Sequence, residues 1–400
     1  MAARRDRFSL AAVVFAVMLA QTFVYPGVDL LAAELGGEGV AAPTLFLAAE
    51  FAAFVVFAGL WGAASDKVGR RRPLIVVAAA GGAVGYLLLA ELPRYGLTFG
   101  GALVLRALQG GMTVGAFSLA VSALADLGGG NGRNMGAAGI AIGAGTAFGA
   151  PVGGQLFSVG TFLPLYAAAA LLGVAAVVAA TAPDNAPAGG ADRGLAALVS
   201  GLRRHTDLAV PYAFGFVDRL TAGFFALVGT LYFREAFHLG PAATGLLLAA
   251  FFAPFALLQY PFGVLSDRVG RVVPVAAGSA LYGVAVLGVG LAPSVPLVAV
   301  GMVVVGVLGA LMAPATMALV VDLVGDDERG VAVAGFNAAG SLGFLAGSLV
   351  GGAVASRYGY LAAFGVAGGL ELLLAAATLP ALLRLRRTGG SAAVFDSSTD

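Results

Sequence analysis

The chain has no cysteine and few charged residues. Without cysteine, disulfides, thiolate metal sites and cysteine nucleophiles are all excluded. Charged residues make up only 11% of the 400 residues, whereas soluble domains carry about 25%. Hydrophobic residues make up 60%, and the mean hydropathy is +0.96. A soluble protein of this composition would expose extensive apolar surface, so the composition predicts a protein that lies largely within a lipid bilayer.

The sequence lacks the signals of several functional classes. The chain has only two histidines, His205 and His238, and no cluster of His, Asp and Glu has metal-ligand spacing. It has no Gly-x-x-x-x-Gly-Lys-Ser/Thr loop, so ATP is not expected to drive it. The net charge of +1 gives no sign of nucleic-acid binding. We therefore expect neither enzymatic activity nor a metal or other cofactor.

Long apolar runs account for most of the chain. A spanning helix needs about 20 mostly apolar residues. The runs predict helices over residues 8–31, 43–65, 73–92, 97–126, 134–157, 161–181, 208–233, 242–266, 273–292, 296–324, 331–356 and 359–384. The fold class predicted is an all-α integral membrane protein with twelve transmembrane helices.

The distribution of basic residues predicts the orientation. Most of the 22 Lys and Arg residues fall on the side that holds both chain ends, and only Arg94, Arg234 and Arg357 fall in loops of the opposite side. By the positive-inside rule both termini are cytoplasmic. The basic start followed by an apolar run could instead be a secretory or twin-arginine signal. Because that run is long enough to span and eleven similar segments follow, we favour a first spanning helix in the cell membrane.

One charged segment occurs twice, half a chain apart. Gly62–Pro73 reads Gly-Ala-Ala-Ser-Asp-Lys-Val-Gly-Arg-Arg-Arg-Pro, and Gly263–Pro274 reads Gly-Val-Leu-Ser-Asp-Arg-Val-Gly-Arg-Val-Val-Pro. Both copies lie between long apolar runs. A charged loop repeated at half-length predicts two related membrane bundles, the architecture of a secondary transporter.

This segment resembles the signature loop of the major facilitator superfamily. The resemblance implies the major facilitator fold, two pseudo-symmetric six-helix bundles over residues 1–181 and 208–387. The cytoplasmic linker, residues 182–207, is expected to be partly disordered and partly an interfacial helix. The tail, residues 388–400, is small and polar, and we expect it to be disordered.

The repeated loops are the predicted gating elements. Gly62 would let the second helix pack closely, Asp66 could meet a helix N-terminus across the bundle interface, and Gly69 permits a tight turn. Arg70 and Arg71 can pair with a carboxylate, for which Asp126 is the candidate. The corresponding residues of the second copy are Gly263, Asp267, Gly270, Arg271 and Asp322. In the superfamily such contacts lock the inner gate; the alternative is that these charges only fix topology.

A second motif lies in the fourth helix, where Arg106 and Gln109 form the pattern Arg-x-x-Gln-Gly. It resembles a segment that is associated with proton-coupled transporters of the superfamily. Arg106 is predicted about nine residues from the outer end, or about 14 Å deep. An arginine at that depth must face a cavity or a carboxylate. The alternative is a structural arginine satisfied by carbonyl groups.

A third motif lies in the fifth helix. It resembles the Gly-x-x-x-Gly-Pro-x-x-Gly-Gly segment of antiporters, with the proline displaced by one position. Its residues are Gly145, Gly149, Pro151, Gly153 and Gly154, and the eleventh helix repeats the glycines without proline. The resemblance favours export in exchange for protons, and the alternative is simple helix packing.

Other ionisable residues also fall within predicted spans. Glu50 would lie about 10 Å deep, and Asp218 and Arg219 near the middle of the seventh helix. A carboxyl group at low dielectric can load and release a proton, so Glu50, Asp218, Arg106 and Arg219 are the proton-coupling candidates. Asp218 facing Arg106 is one possible pairing. The role of Glu371 is open, and Asp29 is expected to be an exposed end residue.

The leading hypothesis is proton-coupled efflux of small hydrophobic or cationic molecules by alternating access. The alternatives are a proton symporter or facilitator that imports a metabolite, and a membrane sensor that does not transport. The expected partners are a small-molecule substrate and the lipid bilayer, and we expect a monomer. The substrate-cavity candidates are Gln21, Tyr25, Phe117, Phe225, Gln259, Tyr260 and Asn337, each of which could instead serve packing.

Overall fold

The computed structural model of the chain describes residues 2–39, 41–96, 98–127, 131–182, 184, 202–325 and 328–395. Within these residues it has twelve helical segments long and apolar enough to cross a membrane, which confirms the predicted all-α fold. We number them α1 (Ala2–Phe23 and Val28–Glu34), α2 (Ala41–Val68), α3 (Arg72–Glu91), α4 (Phe99–Asp126), α5 (Asn131–Val159), α6 (Leu163–Ala180), α7 (Ala209–Phe224 and Thr230–Ala236), α8 (Pro241–Val269), α9 (Val272–Leu291), α10 (Val295–Asp322), α11 (Arg329–Tyr358) and α12 (Tyr360–Phe395).

The last helix runs past the boundary predicted for the tail. The tail was expected to begin at residue 388, and in the structure α12 is helical to Phe395. No proline follows Pro380 in this helix. The interfacial helix predicted in the linker falls mostly on residues 183 and 185–201, which lie outside the described residues.

Two spans are interrupted near the same side of the membrane. In α1 a short 3-10 turn, Tyr25–Gly27, joins the two helical parts, and Pro26 cannot donate a helical hydrogen bond there. In α7 a π-helical turn, Phe225–Gly229, has the same position. The hydroxyl of Thr230 hydrogen-bonds the carbonyl of Ala226 (3.2 Å), so the irregular backbone stays satisfied in an apolar setting.

Among the described residues, the contacts between the two halves of the molecule lie towards one side of the membrane. We call the side on which α1 begins the terminus side and the opposite side the far side. Towards the far side α2 contacts α11, with the rings of Phe51 and Phe344 4.5 Å apart. At the far surface Asp29, which was predicted to be an exposed end residue, is half-buried and accepts a hydrogen bond from Arg234 (2.7 Å).

On the terminus side the halves are separate. The largest apolar core includes residues of both halves, whereas the smaller cores on the terminus side each belong to one half. A Cβ added at Gly59 or Gly62 of α2, or at Gly136 or Gly139 of α5, would meet no described atom within 4 Å. The structure is therefore closed on the far side and open on the terminus side.

Candidate functional site

The deepest charged site is an ion pair between α2 and α4. Arg106 Nη2 donates a hydrogen bond to Glu50 Oε2, and both side chains are fully buried. Because α2 begins at Ala41 and α4 at Phe99, Glu50 lies about 14 Å and Arg106 about 10 Å along their helices from the far side. Their predicted depths were the reverse, but the two groups do lie at a similar level.

The surroundings of this pair explain the Arg-x-x-Gln-Gly pattern. Arg106 Nη1 donates to Gln109 Oε1 (2.6 Å), and Gln109 Nε2 donates to Thr113 Oγ1 (2.6 Å). A Cβ at Gly110 would lie 3.0 Å from Glu50 Cγ, so the glycine lets α2 approach α4 closely. The guanidinium of Arg106 also lies 4.9 Å from the ring centroid of Phe46, a cation–π contact.

Several polar atoms here keep unused bonding capacity. Glu50 Oε1, Arg106 Nε and Gln21 Oε1 are buried and have no hydrogen-bond partner among the described residues. Tyr25, which is 2% exposed, is close enough to Glu50 and Arg106 to interact with both electrostatically. Buried groups of this kind are commonly satisfied in another state or by a ligand. The proposed pairing of Asp218 with Arg106 was wrong, because Glu50 occupies that position.

The corresponding charges of the second half are arranged differently. Arg219 of α7 donates from Nη2 to Asn337 Oδ1 of α11 (3.2 Å), and its guanidinium lies 6.0 Å from the ring centroid of Phe336. Asp218 is half-buried and has no hydrogen-bond partner in the described part of the chain. Since the two residues are adjacent on a helix, their side chains point to different faces. The second half therefore has no counterpart of the closed Glu50–Arg106 pair.

The repeated loops form tight turns on the terminus side. Gly69 has φ of 68° and Gly270 has φ of 85°, a conformation that side chains disfavour. As predicted, Arg71 pairs with Asp126, and Arg271 Nε donates to Asp322 Oδ2 (3.1 Å). These bonds fasten each loop to the end of α4 or α10.

Arg70 has a partner that the sequence analysis missed. Its Nε donates to Asp184 Oδ2 (2.8 Å), and Asp184 Oδ1 accepts from the backbone N–H groups of Arg71 (3.0 Å) and Arg72 (3.1 Å). Partial burial raises the pKa of Asp184, but these hydrogen bonds outweigh it and hold the pKa below its usual value. Asp184 thus binds the start of α3. An Asp after a proline in a presumed linker gave no signal beyond its charge.

The second copy divides these roles differently. Val272 stands where the first copy has Arg71, so Arg271 alone makes the ion pairs that Arg70 and Arg71 share in the first copy. It donates to Asp322, to Asp267 of its own loop and to Ser266 Oγ (2.9 Å). Burial lowers the pKa of Arg271, and the hydrogen bonds to Asp267 and Asp322 raise it by more, so it stays charged.

The gate contacts predicted across the halves are not formed in this structure. Asp66 is exposed and meets no helix N-terminus among the described residues. Gly62 has open space beside it, and a Cβ at Gly263 would meet only Pro314 Cβ of the same half, at 3.7 Å. The reason is the separation of the halves on the terminus side, which moves the two loops away from their expected partners.

The glycines of α5 form a close crossing with α1. Added Cβ atoms at Gly145, Gly149 and Gly153 would lie within 3 Å of Met18, Thr22 and Phe23, in that order. Gly154 instead faces α8, where a Cβ would lie 2.4 Å from the carbonyl oxygen of Pro241. Pro151 lies inside an uninterrupted α5.

The eleventh span repeats this arrangement. Added Cβ atoms at Gly343 and Gly347 would lie 2.0 and 1.9 Å from carbonyl oxygens of α7, and one at Gly352 would lie 2.5 Å from Thr44 Oγ1 of α2. In each half the glycine series therefore packs within the half, and its last member touches the other half on the far side.

The substrate-cavity candidates do not form one group. Phe225 was wrongly placed, because it is fully buried in an aromatic cluster with Phe224, Phe251 and Phe364. Gln21 and Tyr25 are buried beside the Glu50–Arg106 pair, and Asn337 binds Arg219. Phe117 and Gln259 are half-buried, and Tyr260 is 82% exposed.

Comparison with known proteins gives the family. The model of the Major Facilitator Superfamily matches residues 10–226 and 212–394. Over 245 residues the chain is 32% identical to the class G tetracycline resistance protein of Vibrio anguillarum, covering 59% of this chain and 60% of that relative. The match thus spans less than two thirds of the relative's own length.

Solved structures give the same fold. A bacterial homolog of the human lysosomal transporter Spinster, in an inward-facing and unoccupied conformation, has a TM-score of 0.78 at 13% identity, covering 94% of this chain and 95% of that one. The nucleoside transporter NupG has a TM-score of 0.76 at 15% identity, covering 94% and 98%. At these identities the likeness concerns the fold alone. From the family match, the paired loops and the twelve-helix fold together, the chain belongs to the Major Facilitator Superfamily and is a multi-pass membrane protein.

Proposed function

We propose that the chain is a proton-coupled exporter of small hydrophobic or cationic molecules. The observation that carries the proposal is the fully buried pair of Glu50 and Arg106. Burying two charges costs several kcal/mol per ion before their attraction is counted, so such a pair is weak evidence for stability alone. Ionisable groups at membrane depth commonly serve transport.

The pair can couple a proton to substrate movement. When Glu50 takes up a proton, its attraction to Arg106 falls, and the guanidinium is then held by the contacts it already makes with Gln109 and with the rings of Phe46 and Tyr86. When Glu50 loses the proton, the ion pair forms again. A bound cationic substrate would favour the ionised carboxylate, so substrate and proton would compete for one site, as antiport requires.

The direction and the substrate class rest on resemblance. The matched relative is named for resistance to tetracycline, and the α5 glycine series resembles an antiporter motif. With no ATP-binding loop, the proton gradient is the driving force in this proposal. We place the carrier in the cell membrane as a monomer with both termini cytoplasmic, which makes the open terminus side the inward side.

Import is the second candidate. One similar fold is that of a nucleoside transporter, and Pro151 is displaced from its position in the antiporter pattern. An importer of a metabolite would use the same buried pair with the proton and the substrate moving together. The direction of coupled proton movement separates the two candidates.

Dye efflux from cells that lack their own exporters tests the proposal. Ethidium efflux would be compared for the wild type, Glu50→Gln and Glu34→Gln, each with and without a protonophore. Glu34 is exposed at the far end of α1, so its variant is the matched control for loss of one carboxylate. We expect efflux by the wild type and the control that the protonophore abolishes, and at least a tenfold slower rate for Glu50→Gln.

Three results would count against the proposal. Efflux equal to that of cells without the protein, with the protein verified in the membrane, would exclude this cationic substrate. Uptake of a metabolite accompanied by alkalinisation of the medium would establish the importer instead. Full activity of Glu50→Gln would remove Glu50 from the coupling mechanism.

A further inference from the structure

A second carboxyl group lies fully buried in the other half of the molecule, away from the Glu50–Arg106 pair. Glu371, in the middle of α12, is 0% exposed. Its Oε2 lies 2.7 Å from Ser279 Oγ of α9. Its Oε1 is buried and has no hydrogen-bond partner among the described residues. Nothing in the transport mechanism proposed above uses this group.

The helices packed around Glu371 place a second acidic residue near it, and none of their described basic residues is bonded to it. From α9, Ser279 and the fully buried Tyr282 face it, and from α7 Asp218 is close enough to interact with it electrostatically. The nearest basic residue along α7 is Arg219, which binds Asn337 of α11. No described Lys, Arg or His forms an ion pair with Glu371. Glu371 therefore differs from Glu50, whose carboxylate forms an ion pair with the guanidinium of Arg106.

The packing around the site excludes other partners. A Cβ at Gly283 of α9 would lie 3.1 Å from Glu371 Cβ and 2.7 Å from the carbonyl oxygen of Gly368. This close crossing of α9 and α12 keeps the carboxyl group between the two helices, where its side chain is 0% exposed. An ionised carboxylate buried without a cation is far less stable than its neutral form.

We infer that Glu371 is a proton-binding site of the second half, and that Asp218 links it to the space between the halves. Asp218 is half-buried on α7, the most enclosed of the described spans, so its open face lies towards that space. This inference goes beyond the proposed function, because it requires neither export nor a role for Glu50.

The proton transfer can be written in full. In the loaded state the proton is on Oε2, which donates to Ser279 Oγ, while the Ser279 hydroxyl points to the backbone carbonyl of Glu371, 3.4 Å away. For release, Asp218, which makes no hydrogen bond with a described residue in this structure, comes within hydrogen-bond distance of Glu371 as the helices move. The Oε2–H bond then breaks, the proton binds an oxygen of the ionised Asp218 and passes on to water, and the Ser279 hydroxyl turns to donate to Oε2. Ser279 is thus a positioning residue for both states.

Infrared spectroscopy tests the inference directly. The full chain in nanodiscs, in buffer whose only cation is choline, would be titrated while the carbonyl band of protonated carboxyl groups is recorded. We expect the wild type to show a band at neutral pH that Glu371→Gln loses. Ser279→Ala should keep the band but shift its frequency and titration midpoint, because it removes the hydrogen bond to Oε2. Glu34→Gln is the control and should leave the band unchanged.

An Asp218 variant and a sodium titration complete the test of the proton site. Asp218→Asn should keep the Glu371 band but slow its exchange in heavy water at least tenfold. An unchanged band in a folded Glu371→Gln variant would overturn the inference, and so would a midpoint in the wild type that shifts with sodium, since that would indicate a sodium site. Because the band is measured without substrate, its loss is distinguishable from a failure of the dye-efflux experiment, which concerns Glu50.

Discussion

Single residues in this chain were easier to identify than to pair. A charge within an apolar run stands out, so Glu50, Arg106 and Asp218 were recognised as buried ionisable groups from the sequence. Their partners were not, because acidic residues on several spans lie at similar depth. The choice of Glu50 over Asp218 for Arg106 depends on which helices are neighbours, and that is a property of the tertiary structure.

The buried pair makes a prediction for stability. Removing one partner leaves an uncompensated buried charge, so Arg106→Gln should cost about 3–5 kcal/mol of unfolding free energy. The double variant Glu50→Gln, Arg106→Gln should recover most of that loss, since two amides can hydrogen-bond each other. Denaturant unfolding in detergent measures both. A double variant as unstable as the sum of the single ones would show that the two side chains do not depend on each other.

Asp184 predicts a pH dependence at the α2–α3 loop. Because its pKa is lowered in the folded protein, its contribution is fully present above its unfolded value, about 3.9, and is lost as the pH falls through the folded value. Asp184→Asn should therefore lower the Tm at neutral pH, by the equivalent of about 1 kcal/mol or less, since Arg70 is 61% exposed.

The comparison that checks this is the difference in Tm between Asp184→Asn and the wild type across the acidic range. That difference should shrink as the pH falls below the folded pKa of Asp184. A difference that stays constant with pH would mean that the carboxyl group contributes through its shape and not through its charge.

At the scale of helices, the glycine series of α5 and α11 carry the most information. The sequence predicted close packing there but did not give the partner helices. The structure shows α5 against α1 and α11 against α7, with Gly154 and Gly352 crossing to the other half. These contacts need small residues because backbone atoms meet side by side.

The α5–α8 crossing predicts the effect of a larger side chain. A Cβ at Gly245 of α8 would lie 2.3 Å from the carbonyl oxygen of Ala150, so Gly245→Val should push the halves apart on the far side. Overpacking costs about 1–3 kcal/mol, enough to shift the conformational ratio roughly tenfold. Thr44 lies at the neighbouring α2–α11 contact. The rate at which a thiol reagent labels the Thr44→Cys variant should therefore rise by a similar factor.

The chain itself supplies what this experiment needs. It has no cysteine, so an introduced one is the only thiol. Gly173→Val in α6 is the matched control, because a Cβ there would meet no described atom within 4 Å. Equal labelling in the Gly245 and Gly173 variants would indicate that the far-side contact does not depend on the α5–α8 crossing.

At the scale of the whole molecule, the structure is one state of the carrier proposed above, which would alternate between two states. The far side is held by apolar contacts and by the hydrogen bond between Asp29 and Arg234. On the terminus side each half keeps its own core and its own salt bridges. A transition to the opposite state would bring Asp66 and Gly62 towards the other half.

The Asp29–Arg234 pair predicts a shift between these states. Asp29→Asn removes an ion pair worth about 1 kcal/mol, which should change the ratio of the two states roughly fivefold in favour of far-side opening. The labelling rate of Gly139→Cys, which lies in the open space of the terminus side, should fall by at most that factor, because the rate follows the population of the open state and not the ratio itself. Glu38→Gln, an exposed residue before α2, is the control. An unchanged rate in the Asp29 variant would exclude the pair as a closing contact.

The number of spans, their order and the repeated loops were determined by the sequence itself, because hydropathy and small or charged residues act locally along the chain. The tight turns at Gly69 and Gly270 followed from the same local pattern. The partners of Arg71 and Arg271 could also be predicted, because Asp126 and Asp322 each end a span on the same side of the membrane as the loop they bind. The tertiary structure alone decided that Glu50 pairs with Arg106, that Asp184 binds the start of α3, and that the halves meet on the far side. These contacts join residues far apart in the chain, and only the packing of the helices determines which of several similar charges comes within bonding distance.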